Sequence, residues 1–168
     1  MPNANPPHRH EPQASAEDRA RMVELAVVGE AHLVASRLEV DRGGTSYTID
    51  TVRELGERFP GQRFELLLGL DAAEQVQRWH RAGELLAQAW FVIFNRPGRA
   101  PDPHALEALG FETARTRIVQ LQTPDISAHA IRARLAAGEP INDLVPPAVL
   151  DYIRGRHLYT PTTARQLG

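Results

Sequence analysis

The chain has 168 residues, a formal net charge of −2 and no cysteine. Disulfides, thiolate nucleophiles and cysteine-ligated zinc are therefore excluded, and so is a globally basic surface for nucleic acid or anionic membrane. A hydrophobic share of 42% supplies one domain with a sizeable core, while no apolar run reaches a membrane span and no export signal is apparent, which makes a cytoplasmic location the expectation.

The chain opens on "MPNANPPHRH", which reads as a loop leaving a strand rather than as a start. Ser15 followed by Glu17 and Asp18 then predicts an N-cap and an acidic first turn, for a helix carrying Met22, Leu25, Ala26 and Val28 and ending near Gly29. "HLVASRLEV" has the length and β-branched content of a strand, and "DRGG" breaks it. "TIDTVRELGERF" spaces Ile49, Val52, Leu55 and Phe59 along one helical face. "RFELLLGL" and "AWFVIFNRPG" are continuous apolar runs, as expected of parallel strands covered on both faces. Between them "DAAEQVQRWHRAGELLAQ" reads as helix with a break near Gly83, making a β-α-β unit. A short strand "TRIVQL" and two helices, "SAHAIRARLAAG" and "PPAVLDYIRGRH", complete the domain over residues 1–160, and residues 161–168 are expected to form a disordered tail. The alternation predicts an α/β fold with a parallel sheet, whose ligands sit beyond the carboxyl ends of its strands.

Several residues near those ends bear chemistry. "GGTSYTID" sets two glycines and a run of hydroxyls before a helix, where free amides favour an anion; the alternative is a turn capped by Ser46 or Thr48. Asp71 after Gly69 suits a ribose hydroxyl or, equally, the cap of the following helix. Trp79, flanked by His80 and Arg81, is either a packing residue or a stacking platform. Arg96 before a Pro-Gly turn, and His8 with Arg9 in the opening loop, are positioned for phosphate or for solvent. In "DISAHAIRAR", Ser127 is a candidate N-cap, and His129 and Arg132 follow within the first turn and a half, so hydroxyl, imidazole and guanidinium converge on one anion or simply flank a capped helix. No metal-ligand spacing, G-x-S-x-G, Walker A or G-x-G-x-x-G pattern is present, so no metal site is assigned.

The order "PNANPPHR", "GTSYTIDTVREL", "LLGLDAAEQVQRW", "ELLAQAWFVIFNRPG", "ISAHAIRARLAAG" and "INDLVPPAVLDYIRGRHLY" resembles bacterial nicotinate-nucleotide adenylyltransferase from Pro2 to Tyr159. The resemblance implies a Rossmann-like nucleotidyltransferase fold, with a parallel sheet and flanking helices, that moves AMP from ATP to nicotinate mononucleotide with Mg2+, giving deamido-NAD and pyrophosphate. It further implies that Thr45, Tyr47 and Thr48 surround the nicotinate carboxylate, that Trp79 with His80 beside it meets the pyridine ring, and that Asn3, His8, Arg9 and Arg96 hold the mononucleotide phosphate. Gly69 and Asp71 would lie at the adenosine ribose. Ser127, His129 and Arg132 would lie at the ATP phosphates, with Arg132 in a supporting catalytic role. His129 stands where the family has threonine, which puts its role in doubt.

The family's His-x-Gly-His motif has no counterpart in the chain, and neither has the β-α-β portion that carries it, so no catalytic residue is secure. The expectation is a chain entered mid-fold, poorly stable or inactive because a central strand is missing beside its neighbours. A nucleotide-binding module without catalysis and an enzyme preferring nicotinamide mononucleotide are the alternatives. Pantetheine-phosphate adenylyltransferase shares the late helix pattern but should lack the pairing of "GTSYTIDT" with Trp79. ATP and nicotinate mononucleotide are the expected partners, without nucleic acid or membrane, and homo-oligomers are left open.

Overall fold

The computed structural model describes residues 14–95, 98–122 and 126–160. Its contacts group the chain into two compact units, Met1–Ser46 with Ile126–Gly168 (the terminal unit) and Tyr47–Asp125 (the sheet unit).

The sheet unit is built on the two apolar runs and the short segment "TRIVQL". Glu65–Gly69 (β1), Trp90–Phe94 (β2) and Thr116–Val119 (β3) form a parallel sheet in the order β1-β2-β3. In β2, Phe91, Val92 and Ile93 are all buried, as a central strand covered on both faces requires. In β1, by contrast, Leu67 is 70% exposed. The register aligns Gly69 with Phe94 and Phe94 with Val119, so the three carboxyl ends share one edge. Helix α3 (Thr48–Arg58) lays Ile49 into the core with Val52 packed beside it. The segment between β1 and β2 folds as α4 (Leu70–Ala73), a 3-10 turn (Val76–Arg78) and α5 (Ala82–Gln88), and its buried Ala73, Val76, Leu85 and Leu86 join the same core. Phe91 and Phe111 meet edge to face at 4.9 Å within it.

The expected break near Gly83 is present, two residues before that glycine. That glycine lies inside α5, and the chain turns at Trp79 and Arg81, the latter in the left-handed region at φ 55°. The turn lets Trp79 pack against the core while α5 starts in a new direction, so tertiary burial places the break and the glycine does not. Helix α6 (Pro103–Ala108) was not expected, although its signals are standard: Asp102 accepts from the His104 amide at 3.0 Å, Pro103 occupies the first turn, and Gly110 follows at φ 91°.

The terminal unit contains α1 (Ala16–Ala26), α2 (Leu38–Arg42), α7 (Ala128–Ala136) and α8 (Pro147–Gly155). Ser15 caps α1 as expected, in a reciprocal capping box with Asp18, and Gly29 takes φ 87° just after the helix. The expected strand "HLVASRLEV" does not form. Residues 33–37 are irregular, Val34 is 91% exposed, and the chain becomes helical from Leu38, whose side chain is buried. Strand propensity alone does not hold a strand that has no ladder partner.

Asp18 is the centre of this unit's polar packing. It is 5% exposed and accepts from the Ser15 hydroxyl at 2.6 Å and the Ser15 amide at 3.2 Å through one oxygen. Its other oxygen accepts from the Tyr152 hydroxyl at 2.9 Å and from Arg156 Nε at 3.3 Å, which joins α1 to α8. Among the described residues, no helix is long and apolar enough to cross a membrane.

Candidate functional site

In the sheet unit, Tyr47, Thr48 and His80 come together at the amino end of α3. Tyr47 is its N-cap with extended backbone (φ −105°, ψ 144°), and its side chain makes no capping bond. Neither Ser46 nor Thr48 caps the helix, contrary to the alternative left open by the sequence. Ser46, assigned to the terminal unit, is buried and donates to the Glu39 carbonyl at 3.5 Å, while Thr48 is already the first helical residue. The ladder begins with the Asp50 and Thr51 amides on the Tyr47 carbonyl at 3.1 and 3.3 Å, so the Thr48 and Ile49 amides precede it. The Tyr47 side chain therefore caps none of these amides, and Asp50 in the first turn offsets part of the dipole.

The Tyr47 ring stacks on the His80 ring at 4.0 Å between centroids and 27° between planes. Trp79 and Tyr47 are both partly buried against the same core. The turn at Trp79 to Arg81 thus brings His80 to the cap of α3 and seats Trp79 on the core beside it. No spacing in the sequence announces the Tyr47–His80 contact, because it joins a helix cap to a turn beyond the next strand.

Gly69 ends β1 and is the N-cap of α4, with φ −68° and ψ 150°. The cap reading for Asp71 is therefore corrected: Asp71 lies in the first turn of α4, exposed, two residues past the cap. A Cβ at Gly69 would meet the Phe94 ring at 3.5 Å, an ordinary contact, so neither the backbone conformation nor the protein interior demands a glycine there. Asn95, one residue past β2, accepts from the Leu121 amide at 2.6 Å and ties the chain beyond β2 to the chain beyond β3. Sequence reading did not single it out, though its position just after a strand was the available signal.

In the terminal unit, Ser127 caps α7 as expected and accepts from the Ala130 amide at 3.1 Å. His129 is exposed, Arg132 is half-buried, and Thr45 is exposed. Asn3, His8, Arg9 and Arg96 lie outside the described residues, as does the expected tail at 161–168. Among the described residues there is no group of three or more His, Asp or Glu side chains arranged to hold a metal.

The profile of the cytidylyltransferase-like family matches residues 1–134. A nicotinate-nucleotide adenylyltransferase of Stenotrophomonas maltophilia is 37% identical over 97% of this chain and 83% of its own length. One from Herpetosiphon aurantiacus is 39% identical over 95% of this chain and 81% of its own. The chain belongs to the nicotinate-nucleotide adenylyltransferases. Two solved structures of the Plasmodium falciparum nicotinic acid mononucleotide adenylyltransferase share the fold. The one complexed with APC has a TM-score of 0.68 at 19% identity, covering 87% of this chain and 76% of that one. The one complexed with NaAD has a TM-score of 0.70 at 22% identity, covering 87% and 75%. The Rossmann-like nucleotidyltransferase fold expected from the resemblance is thus the fold observed.

Proposed function

We propose that the protein transfers AMP from ATP to nicotinate mononucleotide, in the cytoplasm. A phosphate oxygen of the mononucleotide attacks the α-phosphorus of ATP, the bond to the β-phosphate oxygen breaks, and pyrophosphate leaves as deamido-NAD forms. Family membership supports the reaction class. The observation that carries the substrate choice is the uncapped amino end of α3 beside the Tyr47–His80 stack and Trp79. Amides with no internal cap suit a carboxylate, and a neutral carboxamide would present an N–H donor to donors there.

In this reading Tyr47 and Thr48, with Thr45, surround the nicotinate carboxylate. Trp79 stacks on the pyridine ring, and His80 buttresses Tyr47. Gly69 admits the adenosine close to the backbone, with Asp71 at the ribose. Ser127, His129 and Arg132 meet the ATP phosphates, and Asn3, His8, Arg9 and Arg96 the mononucleotide phosphate. Such a reaction needs alignment and charge stabilisation rather than a protein nucleophile. The described residues offer no carboxylate cluster for Mg2+. In this reading magnesium enters with ATP as substrate, held mainly by phosphates and water.

The test is deamido-NAD formation from ATP, magnesium and nicotinate mononucleotide, run beside nicotinamide mononucleotide. Preferential turnover of the nicotinate substrate is expected. Equal use of both would overturn the carboxylate assignment, and mononucleotide binding without turnover would make the protein a binding module. Trp79→Ala should cost about 1–3 kcal/mol of mononucleotide binding through lost stacking. It should raise KM for the mononucleotide and leave KM for ATP nearly unchanged.

A further inference from the structure

At the amino edge of the sheet, opposite the strand ends that carry Gly69 and Asn95, lies a cavity of about 200 Å³. Its wall includes Arg63, Glu65, Trp90, Arg115, Thr116 and Arg117. Glu65, Trp90 and Thr116 are the first residues of β1, β2 and β3, so the sheet itself fixes their spacing. With strands of five residues, this edge is roughly 13 Å from the carboxyl ends.

The charges of the wall are unbalanced. Glu65 accepts from Arg63 at 2.9 Å and from Arg117 at 3.1 Å, so one carboxylate serves two guanidiniums. Arg63 also lies over the Trp90 ring, 4.7 Å from its centroid. Arg115 is held by the Ala87 carbonyl and by Glu112 at 3.5 Å, so its guanidinium is positioned before any ligand arrives. Cations exceed carboxylates even with Glu112 counted. The second observation is a hydroxyl: Thr116 belongs to the same wall, and its Oγ1 is buried behind it with no hydrogen-bond partner, the one such side-chain atom among the described residues. Buried hydroxyls are normally satisfied, and one that is not marks a place where a partner is missing.

We propose that this cavity binds a compact phosphate group, free or carried on a small phosphomonoester. Three guanidiniums in one wall against two carboxylates fit a tetrahedral dianion with many acceptor oxygens better than they fit a monocarboxylate. The volume suits a single phosphate or sugar phosphate and is below that of drug-sized ligand pockets. None of its lining residues is among those assigned to the mononucleotide or ATP, and the proposal stands whether or not that assignment holds.

The chain has two tryptophans, so a Trp79→Phe variant reports on Trp90 alone. It would be titrated with inorganic phosphate and with ribose 5-phosphate at constant ionic strength, against chloride as the control. A saturable change in Trp90 emission with phosphate is expected. Adding Arg117→Ala, a change at an exposed side chain, should weaken the affinity about tenfold. Thr116→Val should weaken it while leaving the melting temperature the same or higher, because it removes an unsatisfied hydroxyl. Binding of inorganic phosphate alone identifies a free ion as the ligand, whereas equal or tighter binding of ribose 5-phosphate identifies a carried phosphate. No saturable response, the same response with chloride, or an affinity untouched by both Arg117→Ala and Thr116→Val would overturn the proposal.

Discussion

The two units hold together by different means. In the sheet unit, β2 is buried along its length, and Phe91, Phe111, Leu85, Ile49 and Val76 fill one continuous apolar core. The terminal unit buries smaller patches, such as Ala20, Val149, Leu150 and Ile153, and joins α1 to α8 through a buried carboxylate that accepts from Ser15, Tyr152 and Arg156. Apolar burial responds to volume, while a buried carboxylate network responds to pH and to the loss of any one member. Exposed pairs do little for either unit. Arg37 bonds Glu17, Glu24 and Asp41 near the surface, where ion pairs are solvated and screened.

The largest effect should come from the sheet unit. Phe91→Ala removes a ring that is 2% exposed and packed edge to face on Phe111, and should cost about 3–5 kcal/mol, read from denaturant unfolding. Asp18→Asn should cost less, about 1–3 kcal/mol, because a neutral amide cannot accept from the hydroxyls and the guanidinium as the carboxylate does. Equal losses from the two changes would break the contrast between the units.

The pH dependence sharpens it. The Ser15 hydroxyl, and after it the Tyr152 hydroxyl, the Ser15 amide and the Arg156 guanidinium, hold the Asp18 carboxyl below its ordinary value of 3.8, against the opposing effect of burial. A folded value below the unfolded one contributes stability that is present above 3.8 and lost as the pH falls through the folded value. Acidification should therefore loosen α8 from α1 before it affects β2. Amide hydrogen exchange checks this: protection in α8 should fall first in the wild-type chain, and Asp18→Asn should show a shallower acid dependence.

Much of the sheet unit was legible because its signals are local and redundant. Two continuous apolar runs and the short segment "TRIVQL" became three parallel strands, and the amphipathic spacing from Ile49 became α3. The failures lie where burial elsewhere decides. "HLVASRLEV" has strand composition, but Val34 finds no sheet to cover it. The candidate residues were legible one by one, since glycine, aspartate and tryptophan after a strand are visible in the sequence. The Tyr47–His80 stack was not, because nothing local couples a helix cap to a distant turn.

The smallest stability effect belongs to Gly69, and there stability and function should move in opposite directions. The backbone at Gly69 is compatible with alanine, and the added methyl meets Phe94 at ordinary distance. Alanine lowers the entropy of the unfolded chain, so Gly69→Ala should be neutral or stabilise by about 0.4–1 kcal/mol. In the proposed reading the need for glycine comes from outside the chain, from an adenosine that approaches the backbone closely at the end of β1. Gly69→Ala should accordingly raise KM for ATP at unchanged or higher melting temperature. If it lowers the melting temperature with ATP use intact, the glycine serves the fold and the adenosine assignment fails. If it leaves both unchanged, ATP does not approach this strand end.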